Sequence, residues 1–480
     1  MRSALANLTS QNQTSPRRRP SKRSPLRRRN KRLKGSQQDD LITLFVRAIR
    51  WLLPGLVVKR WMFASGLGLL MALLGAAIWA DLKPIYWTIE TIFWLLTAIA
   101  TFLPRSITGP LIFFVGVGIL LWGQSRSFVS IQEALAPAKD TVLIDALRAK
   151  SKLNRGPNIV AIGGGTGLSG LLRGLKSYSS RITAIVTVAD DGGSSGILRR
   201  ELGVQPPGDI RNCLAALSTE APLLTRLFQY RFSSGSGLEG HSFGNLFLSA
   251  LTAITGNFET AITASSRVLA VQGQVVPATN VDVRLWAELE DGQRIEGESA
   301  IGNAPSPILR IGCYPEKPTA LPSALEAIAN ADLILLGPGS LYTSVLPNLL
   351  IPQLVEAIQR SNAPKLYICN LMTQPGETDG LDVMGHVRAI EAQLASSGIT
   401  KRIFGSILAQ DEMEPSPLLN YYKARGSEPV TCDKTKLQLQ GYRVIQARLQ
   451  GRRPTPTLRH DSRSLALAIM RFYRSYKKDV

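Results

Sequence analysis

The strongest constraint on the fold lies in PNIVAIGGGTGLSGLLRGL, residues 157–175, and its sequel ITAIVTVADDGGSSGI, residues 182–197. Residues 157–162 form an apolar run rich in branched side chains and closed by glycines, which reads as a buried parallel strand. Leu168, Leu171, Leu172 and Leu175 then recur at helical spacing, so a helix starts where the glycines stop. Residues 182–189 are a second branched apolar run, completing a βαβ unit. Its glycine turn lets the backbone approach a ligand, and the helix N-terminus offers unpaired N–H groups to a phosphate. Gly165, Gly167 and Gly170 spell G-x-G-x-x-G, with Asp190 further on as a dinucleotide site would have. The second turn, Asp190-Asp191-Gly192-Gly193-Ser194-Ser195-Gly196, exceeds what a nicotinamide site needs, which is one acid.

Charge is unevenly placed. The 480 residues hold 56 Lys and Arg against 35 acids, a net charge of +21, but residues 1–60 carry 16 of the bases and only 2 Asp. The remainder is mildly basic, so no specific nucleic-acid partner is expected. Residues 1–40 predict a disordered basic tail, and residues 41–124 a membrane anchor. Arg47, Arg50, Lys59 and Arg60 suit an interfacial helix, and Trp61 to Ala80 is charge-free and long enough to span. Further apolar runs follow at 85–103 and 107–123. Basic residues before the first run and after the last favour two spans, placing the main domain on the cytoplasmic side of the plasma (inner) membrane. Residues 125–156 read as a linker. Residues 451–480 read as a basic tail ending in a helix from Ser462, whose Arg471, Arg474, Lys477 and Lys478 face anionic headgroups or solvent. Cys213, Cys313, Cys369 and Cys432 form no C-x-x-C pair, as expected of buried thiols in a reduced compartment.

For residues 157–450 the pattern predicts an α/β fold, a Rossmann-like, doubly wound, mostly parallel sheet. An antiparallel β insertion is expected over 266–301, where the period changes and Asp291-Gly292 makes a turn. The turns at 163–167, 190–196, 337–344 and 370–376 each close an apolar strand. In an open parallel sheet such turns gather at the carboxyl ends, so they are expected to converge on one cleft. Gly163, Gly164, Gly165, Thr166 and Gly167 are expected to cradle a phosphate. Asp190 and Asp191 admit two readings. One accepts ribose or uracil hydrogen bonds and the other holds Mg²⁺ against a pyrophosphate, or they make an Asx turn ahead of Gly192 and Gly193. Ser194 and Ser195 belong to that loop. Pro206-Pro207-Gly208 forces a turn, with Asp209 as the cap of the next helix and Asn212 an exposed amide upon it. His241, beside Ser242 and Asn245, is a general base or a residue that orients its loop. Gly337, Gly339, Ser340 and Thr343 offer N–H and hydroxyl groups to a phosphate or sugar, and Asn370 suits base recognition. His386 and His460 receive no role. No Ser, His and Asp spacing argues for hydrolysis.

Taken together, GGGTG, ADDGGSSG, PPGDIRNC, GHSFGNL, GPGSLYTSVLPNLL and CNLMTQPGETDG closely resemble the YvcK family, the gluconeogenesis factors, over residues 157–450. That family is related in fold to CofD, the 2-phospho-L-lactate transferase of deazaflavin-coenzyme synthesis. The resemblance implies a core that binds a nucleotide-sugar such as UDP-N-acetylglucosamine, and a role in cell shape and cell-wall metabolism during gluconeogenic growth. It also implies cleft roles for Asp209 and Asn212, and matches Asp191 to the CofD aspartate that contacts the acceptor. The anchored N-terminus departs from the usual soluble family member. The leading expectation is therefore a membrane-tethered nucleotide-sugar-binding regulator, with Mg²⁺ accompanying the nucleotide and homo-oligomerisation left open. The alternatives are a CofD-like transferase, with Asp191 holding or deprotonating the acceptor, and a nicotinamide-dependent oxidoreductase suggested only by G-x-G-x-x-G.

Overall fold

The computed structural model describes residues 67–72, 74–75, 78, 83–100, 110–111, 113–119, 122–123, 151–219, 222–415, 417–451 and 457–479. They fall into two compact units, residues 1–135 and 136–480. The basic tail and most of the linker lie outside the described residues, as do large parts of the expected anchor.

In the first unit, helix α1 (Lys83–Ala100) carries threonines whose hydroxyls bond back to carbonyls three or four residues earlier, as Thr91 does to Trp87. This satisfies the hydroxyls locally and leaves an apolar surface, on which Trp87 and Trp94 are each 70 % exposed. Among the described residues no single helix is long and apolar enough to cross a membrane. One bent pair of helices, Leu341–Leu349 and Pro352–Arg360, passes by length and composition. Its apolar residues belong to the buried core of the second unit.

The second unit is built on seven parallel strands, in the order β10-β9-β8-β7-β1-β2-β3. Strand β1 (Ile159–Gly163) pairs in register with β2 (Ile182–Val186) on one side and β7 (Leu333–Leu336) on the other. All five residues of β1 are buried, and alternate side chains enter two cores. Val160 and Ile162 pack on one face of the sheet, and Ile159 and Ala161 on the other. Sheet order reverses at β1/β7, the position where ligands of doubly wound sheets bind. Helix α2 (Gly165–Leu175) follows β1, and α3 (Gly193–Leu202) and α4 (Gly208–Leu217) follow β2. Next come α5 (Pro222–Gln229), α6 (Phe243–Thr255) and α7 (Phe258–Val268).

The antiparallel insertion is shorter than the sequence pattern suggests. Residues 268–279 are not part of it: β3 (Gln274–Pro277) joins the main sheet, parallel to β2. Alternation alone cannot tell a parallel edge strand from an antiparallel one. The insertion proper consists of β4 (Arg284–Leu289), β5 (Arg294–Glu296), α8 (Glu298–Ile301) and β6 (Ile308–Tyr314), with sheet order β5-β4-β6. Its β6 edge is closed by an amide. Gln393 accepts from the Ile311 N–H at 2.9 Å and donates to the Ile311 carbonyl at 3.0 Å. That residue lies on α12 (Val383–Ser396), after α9 (Pro322–Ala329), α10 (Leu346–Leu349), α11 (Pro352–Arg360) and β8 (Lys365–Ile368). Strand β9 (Ser406–Gln410), α13 (Pro417–Lys423), α14 (Lys434–Leu439), β10 (Arg443–Ala447) and α15 (Ser462–Asp479) end the chain.

The C-terminal residues 457–479 are not a free tail. Leu465, Ala466 and Ile469 of α15 are fully buried in the core shared with Leu168 and Leu172 of α2. Contact is so close at Gly174 that a β-carbon there would collide with the Ser462 carbonyl. The basic residues Arg471, Arg474, Lys477 and Lys478 occupy the exposed face of the same helix. Ile469→Ala is therefore expected to lower stability by about 2–4 kcal/mol in urea unfolding of the protein; a freely solvated tail would show no change.

Candidate functional site

The glycine loop is shaped by its neighbours. Gly165 opens α2 with φ of +65°, a left-handed conformation that glycine adopts without steric cost. At Gly164 a β-carbon would strike the Asp209 carboxylate and the Thr187 methyl, and at Gly167 the Pro338 carbonyl. Gly167 thus lets the turns after β1 and β7 close on each other, and Gly164 lets the loop close on the segments after β2. Gly170 is different. A side chain there meets nothing within 4 Å, and the residue lines a cavity of about 420 Å³. In a dinucleotide fingerprint the third glycine packs the helix against its strand; here it faces open space.

Gly164, Gly165, Thr166 and Gly167 line that cavity with Gly339, Ser340, Ser344 and Asn370. Gly163, Gly337 and Thr343 do not. Asn370 donates from Nδ2 to the Gly339 carbonyl at 2.9 Å, and Gln374 accepts from Ser340 Oγ at 2.8 Å. Thr343 and Tyr342 form part of a π-helical turn, Leu341–Val345, whose N–H groups at 342 and 343 both donate to Glu377 Oε1. Glu377 Oε2 is buried without a partner, and burial pushes this carboxyl up to about 7 against those two hydrogen bonds.

The opposite wall holds residues that the sequence reading passed over. Arg173, one turn beyond Gly170 on α2, lines the cavity with Arg425, Arg459 and His460. No ion pair found among the described residues involves these arginines. Burial and the repulsion of Arg459 lower the pKa of Arg173. Guanidiniums held near one another without acids favour an anion between them. Burial pushes His460 down to about 4, and its Nε2 has no partner. Arg459 and His460 sit here because buried Leu458 and Leu465 fix the chain on both sides. A basic tail with no periodicity around residue 459 gave no signal for this.

The second turn does not line the cavity. It stands beyond Asp209, at an acidic patch. Asp209 is not a helix cap: α4 starts at Gly208 with Pro207 as its N-cap and no side-chain bond. Asp209 instead accepts from the Gly165 N–H, and desolvation with the nearby Asp190 pushes it up to about 6. The carboxyl is drawn to loop N–H groups that helix geometry leaves free. Asp190 accepts from the Gly192 N–H at 2.9 Å, an Asx turn. Asp191 accepts from Glu298 N, Ser299 N and Ser299 Oγ, all at 2.8–2.9 Å, and so caps α8 from outside. Glu298 is pushed up to about 8 by burial and then by Asp190, Asp191, Asp209 and Glu377.

His241 Nδ1 lies 3.0 Å from Ser194 Oγ, which accepts from Asn245 Nδ2 at 3.1 Å and from the Ser242 N–H at 3.4 Å. With two donors on that oxygen, the serine proton points to the imidazole. Arg211 ties in Ser242, Asn245 and Asn212. All of Ser194, His241, Ser242 and Asn245 are buried, so this geometry matches the orienting role for His241. The Asp190/Asp191 pair fits Mg²⁺ poorly, since one carboxylate serves Gly192 and the other three donors of α8. Among the described residues no group of three or more His, Cys, Asp or Glu is placed to hold a metal.

The carboxylates give a pH signature. Their folded pKa values lie above the unfolded ones, so the folded protein retains protons that the unfolded chain releases. The associated stability is fully present below the ordinary carboxylate range and is lost as pH rises from there through about 6 for Asp209 and about 8 for Glu298. Glu298→Gln is expected to unfold with the wild type near pH 4 and at progressively higher temperature than the wild type as pH rises towards 9; a difference that does not change with pH would contradict this assignment.

Comparisons with known proteins place the site in context. Residues 159–450 match the family model described as 2-phospho-L-lactate transferase CofD. A Nostoc sp. protein named as a gluconeogenesis factor is 53 % identical over 424 residues, 88 % of this chain and 92 % of its own. The gluconeogenesis factor of Bacillus subtilis is 48 % identical over 65 % of this chain and 96 % of its own. A solved Bacillus halodurans structure, 48 % identical, superposes with a TM-score of 0.62 over 66 % of this chain and 100 % of that one.

Proposed function

The chain belongs to the gluconeogenesis-factor (YvcK) branch of the CofD family, and from that premise we propose that it binds a nucleotide-sugar of the UDP-N-acetylglucosamine type. The observation that carries this reading is the cavity between the glycine loop and three arginines, none of which makes an ion pair among the described residues. Past the Gly165 N–H, which Asp209 takes, the next N–H groups of α2 and its partial positive charge suit one phosphate. Arg173, Arg425 and Arg459 suit the remaining negative charge of a diphosphate, and Asn370 and Gln374 offer hydrogen bonds to a base or sugar. The cavity volume is of small-ligand size. Any Mg²⁺ would rest on the ligand's own phosphates. Binding would let the protein report nucleotide-sugar supply to cell-wall metabolism and cell shape during gluconeogenic growth. The exposed tryptophans of α1 support a membrane tether, with the second unit on the cytoplasmic side.

A transferase is the second reading, favoured by the family's CofD description and by the acids across the loop. Asp209 at about 6 and Glu298 at about 8 are poised for proton transfer near neutral pH. Asp191, its oxygens taken up by α8, would act by holding that wall in place.

Calorimetry with UDP-N-acetylglucosamine, UDP, GDP and NAD separates these readings. A β-carbon at Gly170 meets nothing within 4 Å, so Gly170→Leu projects into the cavity, and it is expected to abolish UDP-sugar binding while leaving the unfolding temperature at or above that of the wild type. Arg459→Ala is expected to weaken binding at least about tenfold. Preference for GDP, with acceptor-dependent release of GMP, would favour the transferase, whereas undiminished UDP-sugar binding by Gly170→Leu would remove the ligand from this cavity.

A further inference from the structure

Helix α5 (Pro222–Gln229) has two apolar faces. Phe228 is buried and edge-on to Phe247 at 5.6 Å, and Leu224 packs on the same core. The opposite face is open. Leu223 is 68 % exposed, Leu227 43 % and Tyr230, just past the helix end, 50 %. With the exposed Arg226 these residues follow the i, i+3, i+4, i+7 spacing of a single helical face. The hairpin that follows adds the exposed Leu238 and Arg231. Residues 222–238 contain these two arginines and no acid; Glu239 closes the segment.

We propose that this face of α5 docks on an anionic lipid surface. A convex leucine and tyrosine stripe flanked by arginines, without acids, is the composition of an interfacial helix. Its apolar residues enter the headgroup boundary and its cations meet the lipid charge. The docking is separate from any N-terminal tether and adds a second point of attachment. It also has a route to the binding domain. The Tyr230 carbonyl accepts from the Phe243 N–H at 2.8 Å, and the Phe232 N–H donates to the His241 carbonyl at 2.9 Å. The lipid-facing segment is thus hydrogen-bonded to the loop that holds Ser194.

The test uses residues 151–480, because a solved chain homologous to this region alone is folded. The fragment is expected to co-sediment with vesicles containing phosphatidylglycerol, to do so less at high salt, and to leave pure phosphatidylcholine vesicles in the supernatant. Leu223→Ser combined with Leu227→Ser is expected to lower vesicle partitioning at least about tenfold with the unfolding temperature retained. Leu439→Ser, at a residue 82 % exposed on α14, is expected to leave partitioning unchanged. Absence of sedimentation, or equal sedimentation of the double variant, would overturn the proposal. So would a concentration-dependent dimer that only the double variant loses, since the face would then belong to a second copy. A tether failure is read separately, from membrane extraction of the full chain.

Discussion

Everything in the second unit depends on how closely two backbones approach at the centre of the sheet. The turn after β1 and the turn after β7 lie so near each other that Gly167 leaves no room for a β-carbon beside the Pro338 carbonyl. This approach places the N-terminus of α2 at the point where the order of the parallel strands reverses. The far side of α2 is covered by α15. The chain's C-terminus thereby returns to the glycine loop and brings Arg459 and His460 with it.

The result is a loop with opposite charge on its two sides. Arginines crowd one side, and burial, then the repulsion of Arg459, lowers the pKa of Arg173. Carboxyls crowd the other, and Asp209, Glu377 and Glu298 are held protonated to about 6, 7 and 8. Neither side is relaxed alone. An anion would stabilise the first; protons, or hydrogen-bond donors of a ligand, would stabilise the second. Asp209 joins them, because its carboxyl takes the Gly165 N–H that a phosphate would otherwise approach.

The βαβ unit and most of the parallel sheet were legible in the sequence because buried parallel strands read as short apolar runs ending in glycine. The glycine loop, Gly339, Ser340 and Asn370 were found for the same reason, each being at the carboxyl end of such a run. What was not legible depended on contacts between distant segments. Strand β3 alternates like an antiparallel strand, and only its pairing with β2 shows otherwise. Asp209 reads locally as a cap, and only the loop 44 residues earlier draws it away. The residues around Arg459 look like a charged tail until Ile469 is seen buried against α2. Asp190 and Asp191 had two readings: Asp190 makes the Asx turn with Gly192, whereas Asp191 caps α8, a contact with a distant segment that neither reading contained.

The central claim, that an anionic ligand sits between the glycine loop and the C-terminal arginine, is tested most directly by amide hydrogen exchange with and without UDP-N-acetylglucosamine. The account predicts slower exchange in two separate segments, residues 163–170 and residues 457–465, on addition of the ligand. Protection confined to residues 190–196 and 297–301, with the C-terminal segment unchanged, would place the ligand on the acidic side and contradict it.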